Sequence, residues 1–89
     1  DPIFQSEAYQ ILGMIFKTRA DLQQARNYLL QAKTLTPNDP NLYIAFAELN
    51  LFEQKYVQSE NDAKKVIELS PSKAMGYLVL SHALYMQEK

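Results

Sequence analysis

The 89-residue sequence contains no cysteine, no tryptophan, one histidine and only two glycines. Without cysteine, the chain can form neither a disulfide framework nor a thiolate metal site, and a cysteine nucleophile is excluded as well. The single histidine, His82, has no second histidine with which to share a metal or activate a nucleophile. Gly13 and Gly76 are isolated, so no glycine-rich phosphate loop is present. We therefore predict a protein that is not an enzyme and that uses no metal or cofactor.

An excess of either charge is also lacking, since nine Lys and Arg stand against ten Asp and Glu for a net charge of −1. A nucleic-acid or membrane-surface protein would show a basic patch or stripe. No apolar run approaches the roughly 18 residues of a membrane-spanning helix, and no signal-peptide pattern is found. We predict no nucleic-acid partner and no membrane insertion. The compartment stays open between cytoplasmic and periplasmic or envelope-associated, because proteins of either can lack disulfides.

The apolar residues that are present recur at helical spacing, as between residues 42 and 52, and no stretch alternates like a strand. Pro37 and Pro71 each end a helix, because proline cannot continue one. A last helix is predicted from about Lys73 to Gln87. The pattern predicts about five helices in an all-α protein. The predicted N-caps of the second, third and last helices are Asp21, Asp39 and Ser72.

Similar residues return every 34 positions along the chain. A fixed period of this size marks a solenoid, in which each helix pair buries its apolar face against its neighbour. Where small residues recur, we expect close contact between the two helices of a pair, against Ala25 and Ser59 on the facing helices. The recurring sets are Tyr9, Tyr43 and Tyr77; Leu12, Phe46 and Leu80; Gly13, Ala47 and Ser81; Leu35 and Leu69; and Pro37 and Pro71.

The run Tyr9-x2-Leu12-Gly13-x2-Phe16, followed by Ala25-x3-Leu29, Ala32 and Pro37, resembles the signature of the tetratricopeptide repeat family. The resemblance implies a right-handed α-solenoid of antiparallel helix pairs. It divides a single domain, 1–89, into repeat one (6–39), repeat two (40–73) and the first helix of a third repeat (74–89).

The sequence departs from the family pattern at a few positions. Asn50 stands where an aromatic residue is usual, so it should need a hydrogen-bond partner. Ala20 and Gln54 replace the usual corner glycine. Residues 1–5 are either the end of a preceding repeat or an early turn of the first helix.

In this family the concave groove is lined mainly by the first helix of each repeat. Transferred to this chain, that lining is distinctly apolar and suits an amphipathic helix or an extended apolar peptide. The carboxylate clamp that chaperone-binding members use is absent, since Met14, Ala45 and Val79 stand among its positions. The predicted groove residues are Gln10, Ile11, Met14, Lys17, Ile44, Glu48, Leu51, Phe52, Leu78, Val79, His82, Tyr85 and Met86.

The last helix is apolar almost all round, which is typical of a buried helix. We expect either an excerpt of a longer, bacterial-type array or two copies that cover each other's apolar face as a homodimer. The predicted function is a scaffold that binds a protein or peptide partner. Two alternatives stay open: a regulatory or substrate-docking segment of a larger enzyme such as a glycosyltransferase, and a self-association element.

Overall fold

The structure, a computed structural model, describes residues 1–88. Within that range the protein consists of five α-helices and no strand, as the sequence predicts. None of these helices is both long and apolar enough to cross a membrane. The helices are α1 (Pro2–Thr18), α2 (Leu22–Leu35), α3 (Pro40–Phe52), α4 (Tyr56–Leu69) and α5 (Ala74–Gln87).

Two of the helices begin with an Asp-Pro pair. Oδ1 of Asp1 accepts a hydrogen bond from the backbone N–H of Ile3, and Oδ1 of Asp39 accepts one from that of Asn41, each at 3.0 Å. Proline then takes a first helical position, where it has no hydrogen bond to lose. Asp39 is thus the N-cap predicted from the sequence. Asp1 is the N-cap and residues 2–5 form the first turn of α1, so of the two alternatives for residues 1–5 the structure shows an early helix turn.

The start of α5 differs from the prediction by one residue. The N-cap is Lys73, with φ −84° and ψ 110°, rather than Ser72. Lys73 lies 34 residues after Asp39, whose backbone angles are nearly the same, at φ −83° and ψ 114°. The helix therefore starts where the repeat period places it, although lysine is a poor capping residue and its side chain makes no capping hydrogen bond.

Equivalent corners join the two helices of each pair. Ala20 between α1 and α2, and Gln54 between α3 and α4, both have φ of 63°. This left-handed conformation is costly for any residue with a Cβ, which explains why glycine is usual in such corners. Because the two strained residues lie 34 positions apart, the same backbone turn is built twice.

The helices form two layers. Each helix packs against the next along the chain, and α3 also lies beside α1 and α5, whereas the backbones of α2 and α4 lie further apart. The odd-numbered helices therefore form one layer, and the even-numbered helices form the other. The protein measures 41 × 29 × 16 Å along its three principal axes.

The core lies between the two layers. A first cluster joins α2 to α3, and a second, smaller one joins α3, α4 and α5 through Ala47, Ala63 and Val79. Small residues set the approach of α1 to α2, because a Cβ on Gly13 would lie 2.9 Å from Cδ2 of Leu29. Ala25 and Ser59 are fully buried, in agreement with the predicted close contacts. The first cluster comprises Ala25, Leu29, Ala32, Leu42, Phe46 and Leu49.

Candidate partner-binding groove

A pocket of about 200 Å³ opens between α1 and α3 on the face of the odd-numbered helices. Its floor consists of buried apolar residues from three helices. Met14 and Ile44 stand above the floor, and Met14 is 61% exposed. The lining residues are Gln10, Gly13, Met14, Lys17, Ala25, Leu29, Asn41, Ile44, Ala45, Glu48 and Leu49.

Polar side chains connect α1 with α3 on both sides of this apolar floor. Nε2 of Gln10 donates hydrogen bonds to Oδ2 of Asp39 at 3.0 Å and to Oγ of Ser6 at 3.3 Å. Two turns further along α1, Nζ of Lys17 lies 3.6 Å from Oε1 of Glu48. Both side chains of this pair are partly exposed, so it adds little stability. The two contacts place polar groups, including one positive and one negative side chain, at the rim of an apolar pocket.

The structure brings together five of the thirteen predicted groove residues at this pocket: Gln10, Met14, Lys17, Ile44 and Glu48. Five others are exposed elsewhere, namely Ile11, Phe52, Leu78, His82 and Tyr85. Leu51 and Met86 are half-buried.

Val79 is a correction to the predicted groove. It is only 5% exposed and packs with Ala47 and Ala63 in the core. The helix α5 turns Gly76, Val79 and Ala83 toward the rest of the protein, because these buried residues share one helical face. Val79 is therefore a core residue and is not available to a partner.

The sequence does not predict the floor of the pocket, although it assigns Gly13 and Ala25 to close contacts between helices. Gly13 and Ala25 do make that contact, and Leu29 and Leu49 belong to the core. The available signal was their small volume, since Gly13 and Ala25 leave space that larger side chains would fill.

A second group of polar side chains links α2, α3 and α4. Asn50 is 4% exposed, accepts from Nη2 of Arg26 at 2.9 Å and donates from Nδ2 to Oδ2 of Asp62 at 2.7 Å. The need of Asn50 for hydrogen-bond partners, expected from the sequence, is confirmed. Arg26 also pairs with Oε1 of Glu53 at 2.5 Å. This cluster gives the buried amide of Asn50 its hydrogen-bond partners and joins the three helices.

The pKa values of the two carboxyl groups in this cluster, Asp62 and Glu53, are shifted in opposite directions. Burial raises the pKa of Asp62 above 3.8, and the Asn50 hydrogen bond and the charges of Lys33 and Arg26 offset that effect only in part. For Glu53, burial also acts to raise the pKa. The hydrogen bond and charge of Arg26, together with Lys55, outweigh it and hold the pKa below 4.5.

No three His, Asp or Glu side chains within residues 1–88 lie close enough together to hold a metal ion.

The architecture is that of an all-α helical repeat protein. Residues 6–39 match the family model of the tetratricopeptide repeat. No curated protein shows significant similarity to the chain. Tetratricopeptide repeats generally mediate protein–protein interaction, and the family is typically non-enzymatic.

Proposed function

We propose that this protein is a non-enzymatic scaffold that holds a segment of a protein partner in the groove formed by α1, α3 and α5. In this proposal residues 40–73 form the second repeat and residues 74–89 the first helix of a third. The observation that carries it is the pocket between α1 and α3, whose lining includes five of the residues assigned to the groove on sequence grounds.

The size and chemistry of the pocket define what it would take. At about 200 Å³ it is smaller than small-molecule sites, which measure about 300–1,000 Å³. It therefore suits one or two side chains of a peptide. An apolar floor within a polar rim is the arrangement of an anchor pocket, in which a buried apolar side chain contributes much of the binding energy. The flexible side chain of Met14 can adapt to the shape of that anchor.

Exposed apolar residues outside the pocket extend the proposed surface. Ile11 on α1 and Phe52 at the end of α3 are 55% and 58% exposed. They would contact further side chains of the same segment. An amphipathic helix, which presents apolar side chains three or four residues apart, matches separate anchor points of this kind.

A peptide library displayed on phage and panned against the immobilised chain tests the proposal. We expect enrichment of peptides with apolar residues at helical spacing. Met14→Glu should weaken their binding by about tenfold or more, because it brings a charge to the apolar pocket. Val57→Glu is the matched control, since Val57 is 57% exposed on α4, away from the groove.

Methyl NMR spectra of the chain locate the binding of an enriched peptide. The Met14 and Ile44 methyl signals should shift on addition of the peptide, and those of Val57 should stay in place. Peptides that bind equally to both glutamate variants, or that shift only methyl groups outside the pocket, would contradict the proposal.

A second candidate function, self-association through α5, is favoured by the exposed apolar side chains of that helix.

A further inference from the structure

The outer face of α5 carries four large exposed side chains around a small one. Tyr77, Leu78, Leu84 and Tyr85 are 47%, 63%, 43% and 69% exposed, and Ser81 lies between them on the same face. No helix within residues 1–88 covers this face.

The position of Ser81, at the centre of this face, is covered by a helix one and two repeats earlier. Residues 34 and 68 positions before Ser81 are Ala47 and Gly13. Ala47 accepts a hydrogen bond through its backbone oxygen from Ser59 of α4, and Gly13 packs against Ala25 and Leu29 of α2. The outer face of α5 therefore has the form of a helix-docking surface.

The sequence of this face is self-complementary. Tyr77 and Leu78 precede Ser81 by four and three residues, and Leu84 and Tyr85 follow it by three and four. A two-fold axis relates each residue to the same residue of the other copy, so residues at equal distances before and after Ser81 lie level across an antiparallel pair. In an antiparallel pair of α5 helices centred on Ser81, Tyr77 and Leu78 of one copy would therefore lie level with Leu84 and Tyr85 of the other. Two such apolar layers would flank the axis.

Charge complementarity selects the same arrangement. Lys73 at the start of α5 lies eight residues before Ser81, and Glu88 at its end lies seven residues after. At a rise of about 1.5 Å per residue, the two side chains would meet across an antiparallel pair with an offset of only about 1.5 Å. A parallel pair would instead bring Lys73 close to its own copy.

We propose that the partner of this face is a second copy of the chain, in an antiparallel α5–α5 pair with Ser81 at the two-fold axis. The small side chain of Ser81 allows close approach at the axis, where a bulky residue would hold the helices apart. Leu78 and Tyr85 are also predicted groove residues, so pairing removes them from the groove. The pocket between α1 and α3 lies on other helices and stays open in each copy.

A single cysteine at residue 81 tests the position of the axis, because the chain has no cysteine of its own. Under mild oxidation Ser81→Cys should form a disulfide-linked dimer. Thr34→Cys, on the exposed surface of α2, should form no disulfide-linked dimer under the same conditions. Equal crosslinking of the two variants would overturn the proposed axis.

Charge exchange tests the antiparallel orientation. Lys73→Glu and Glu88→Lys should each weaken the dimer by about tenfold, because a two-fold symmetric dimer contains the changed contact twice. The double variant should regain the original affinity, measured by sedimentation. A double variant as weak as either single one would overturn the orientation.

Two further variants identify the face itself. Leu84→Glu should abolish dimerisation, whereas Ile11→Glu on α1 should leave it unchanged. A chain that stays monomeric at millimolar concentration, or a dimer that depends on Ile11 and not on Leu84, would overturn the inference. Because Met14 and Ile44 take no part in this interface, peptide binding at the pocket can fail or succeed independently of these results.

Discussion

The side chain of Asn50 donates a hydrogen bond to Asp62 at 2.7 Å, at the two positions where Phe16 and Tyr28 stack 34 residues earlier. The rings of Phe16 and Tyr28 have centroids 5.5 Å apart and an interplanar angle of 16°. The same contact between paired helices is thus built once from an aromatic stack and once from a hydrogen bond. Arg26 completes the polar version by donating a hydrogen bond to the amide oxygen of Asn50.

Because the two contacts occupy equivalent positions, we predict that an aromatic pair can replace the hydrogen bond between Asn50 and Asp62. Asn50→Phe leaves the half-buried carboxylate of Asp62 without its donor, and Asp62→Tyr leaves the Asn50 amide without its acceptor. Each single change should therefore lower the free energy of unfolding by about 2 kcal/mol. Together they recreate the Phe16–Tyr28 stack, and the double variant should recover at least about 1 kcal/mol of the summed loss.

Urea denaturation of the four proteins measures this coupling, at a concentration low enough to keep the chain monomeric. Strictly additive losses would show that the two positions do not form one contact in the second helix pair.

The raised pKa of Asp62 predicts a specific pH dependence of stability. The folded state binds this proton more tightly than the unfolded state, whose pKa is near 3.8. The contribution of Asp62 to stability should therefore fall as the pH rises from 3.8 through the higher folded pKa, and then stay level. Asp62→Asn removes this dependence, so the difference in unfolding free energy between the original chain and the variant should decrease over the same range.

The pKa of Glu53 is shifted in the opposite direction, so its effect on stability must be separated from that of Asp62. Its pKa is lowered below 4.5, so its contribution to stability is present above that pH and is lost as the pH falls. The Asp62→Asn comparison is therefore best made in a Glu53→Gln background. A stability difference that rises with pH in that background would contradict the assigned shift of Asp62.

Much of this fold could be predicted from the sequence. Proline and helical periodicity are local signals, and the 34-residue repeat relates positions at a fixed spacing. The five helices and the need of Asn50 for hydrogen-bond partners follow from these signals. The identity of those partners does not, because Arg26 and Asp62 belong to neighbouring helices and meet Asn50 only through packing.

The candidate site was less predictable for a related reason. Apolar residues surround α5 on all sides, so periodicity could not determine that Val79 would be buried and Tyr85 exposed. Packing against α3 and α4 determines which face of α5 is buried. In the same way, the pocket depends on the space left by Gly13 and Ala25, whose small volume is visible in the sequence but does not by itself locate a pocket.

The strained corners predict stabilising substitutions. Ala20 and Gln54 are exposed and hold φ at 63°, a region that glycine enters without steric cost. Ala20→Gly and Gln54→Gly should each raise the free energy of unfolding by about 0.5–1 kcal/mol, since relief of strain exceeds the added entropy of the unfolded chain. Ala8→Gly, in the exposed middle of α1, is the control and should lower it by about 1 kcal/mol. Loss of stability at both corners would show that their conformation is not strained.

The start of α5 offers a substitution whose effects on folding and on pairing have opposite signs. Lys73 shares the backbone angles of Asp39 but lacks its capping oxygen. Lys73→Asp should therefore supply an acceptor for the N–H of Met75 and stabilise the monomer by about 1 kcal/mol in thermal or urea unfolding. Ser72→Asp, one residue earlier, adds the same charge outside the cap position and should give a much smaller gain.

At high concentration the same Lys73→Asp chain should dimerise less tightly, because it loses the proposed contact with Glu88 of the second copy. Lys73→Ala separates the two effects, since it removes the positive charge without adding a cap. It should weaken dimerisation and leave the monomer without the gain in stability. A Lys73→Asp protein that is more stable and also more strongly dimeric would show that Lys73 caps the helix as argued but makes no contact across the pair.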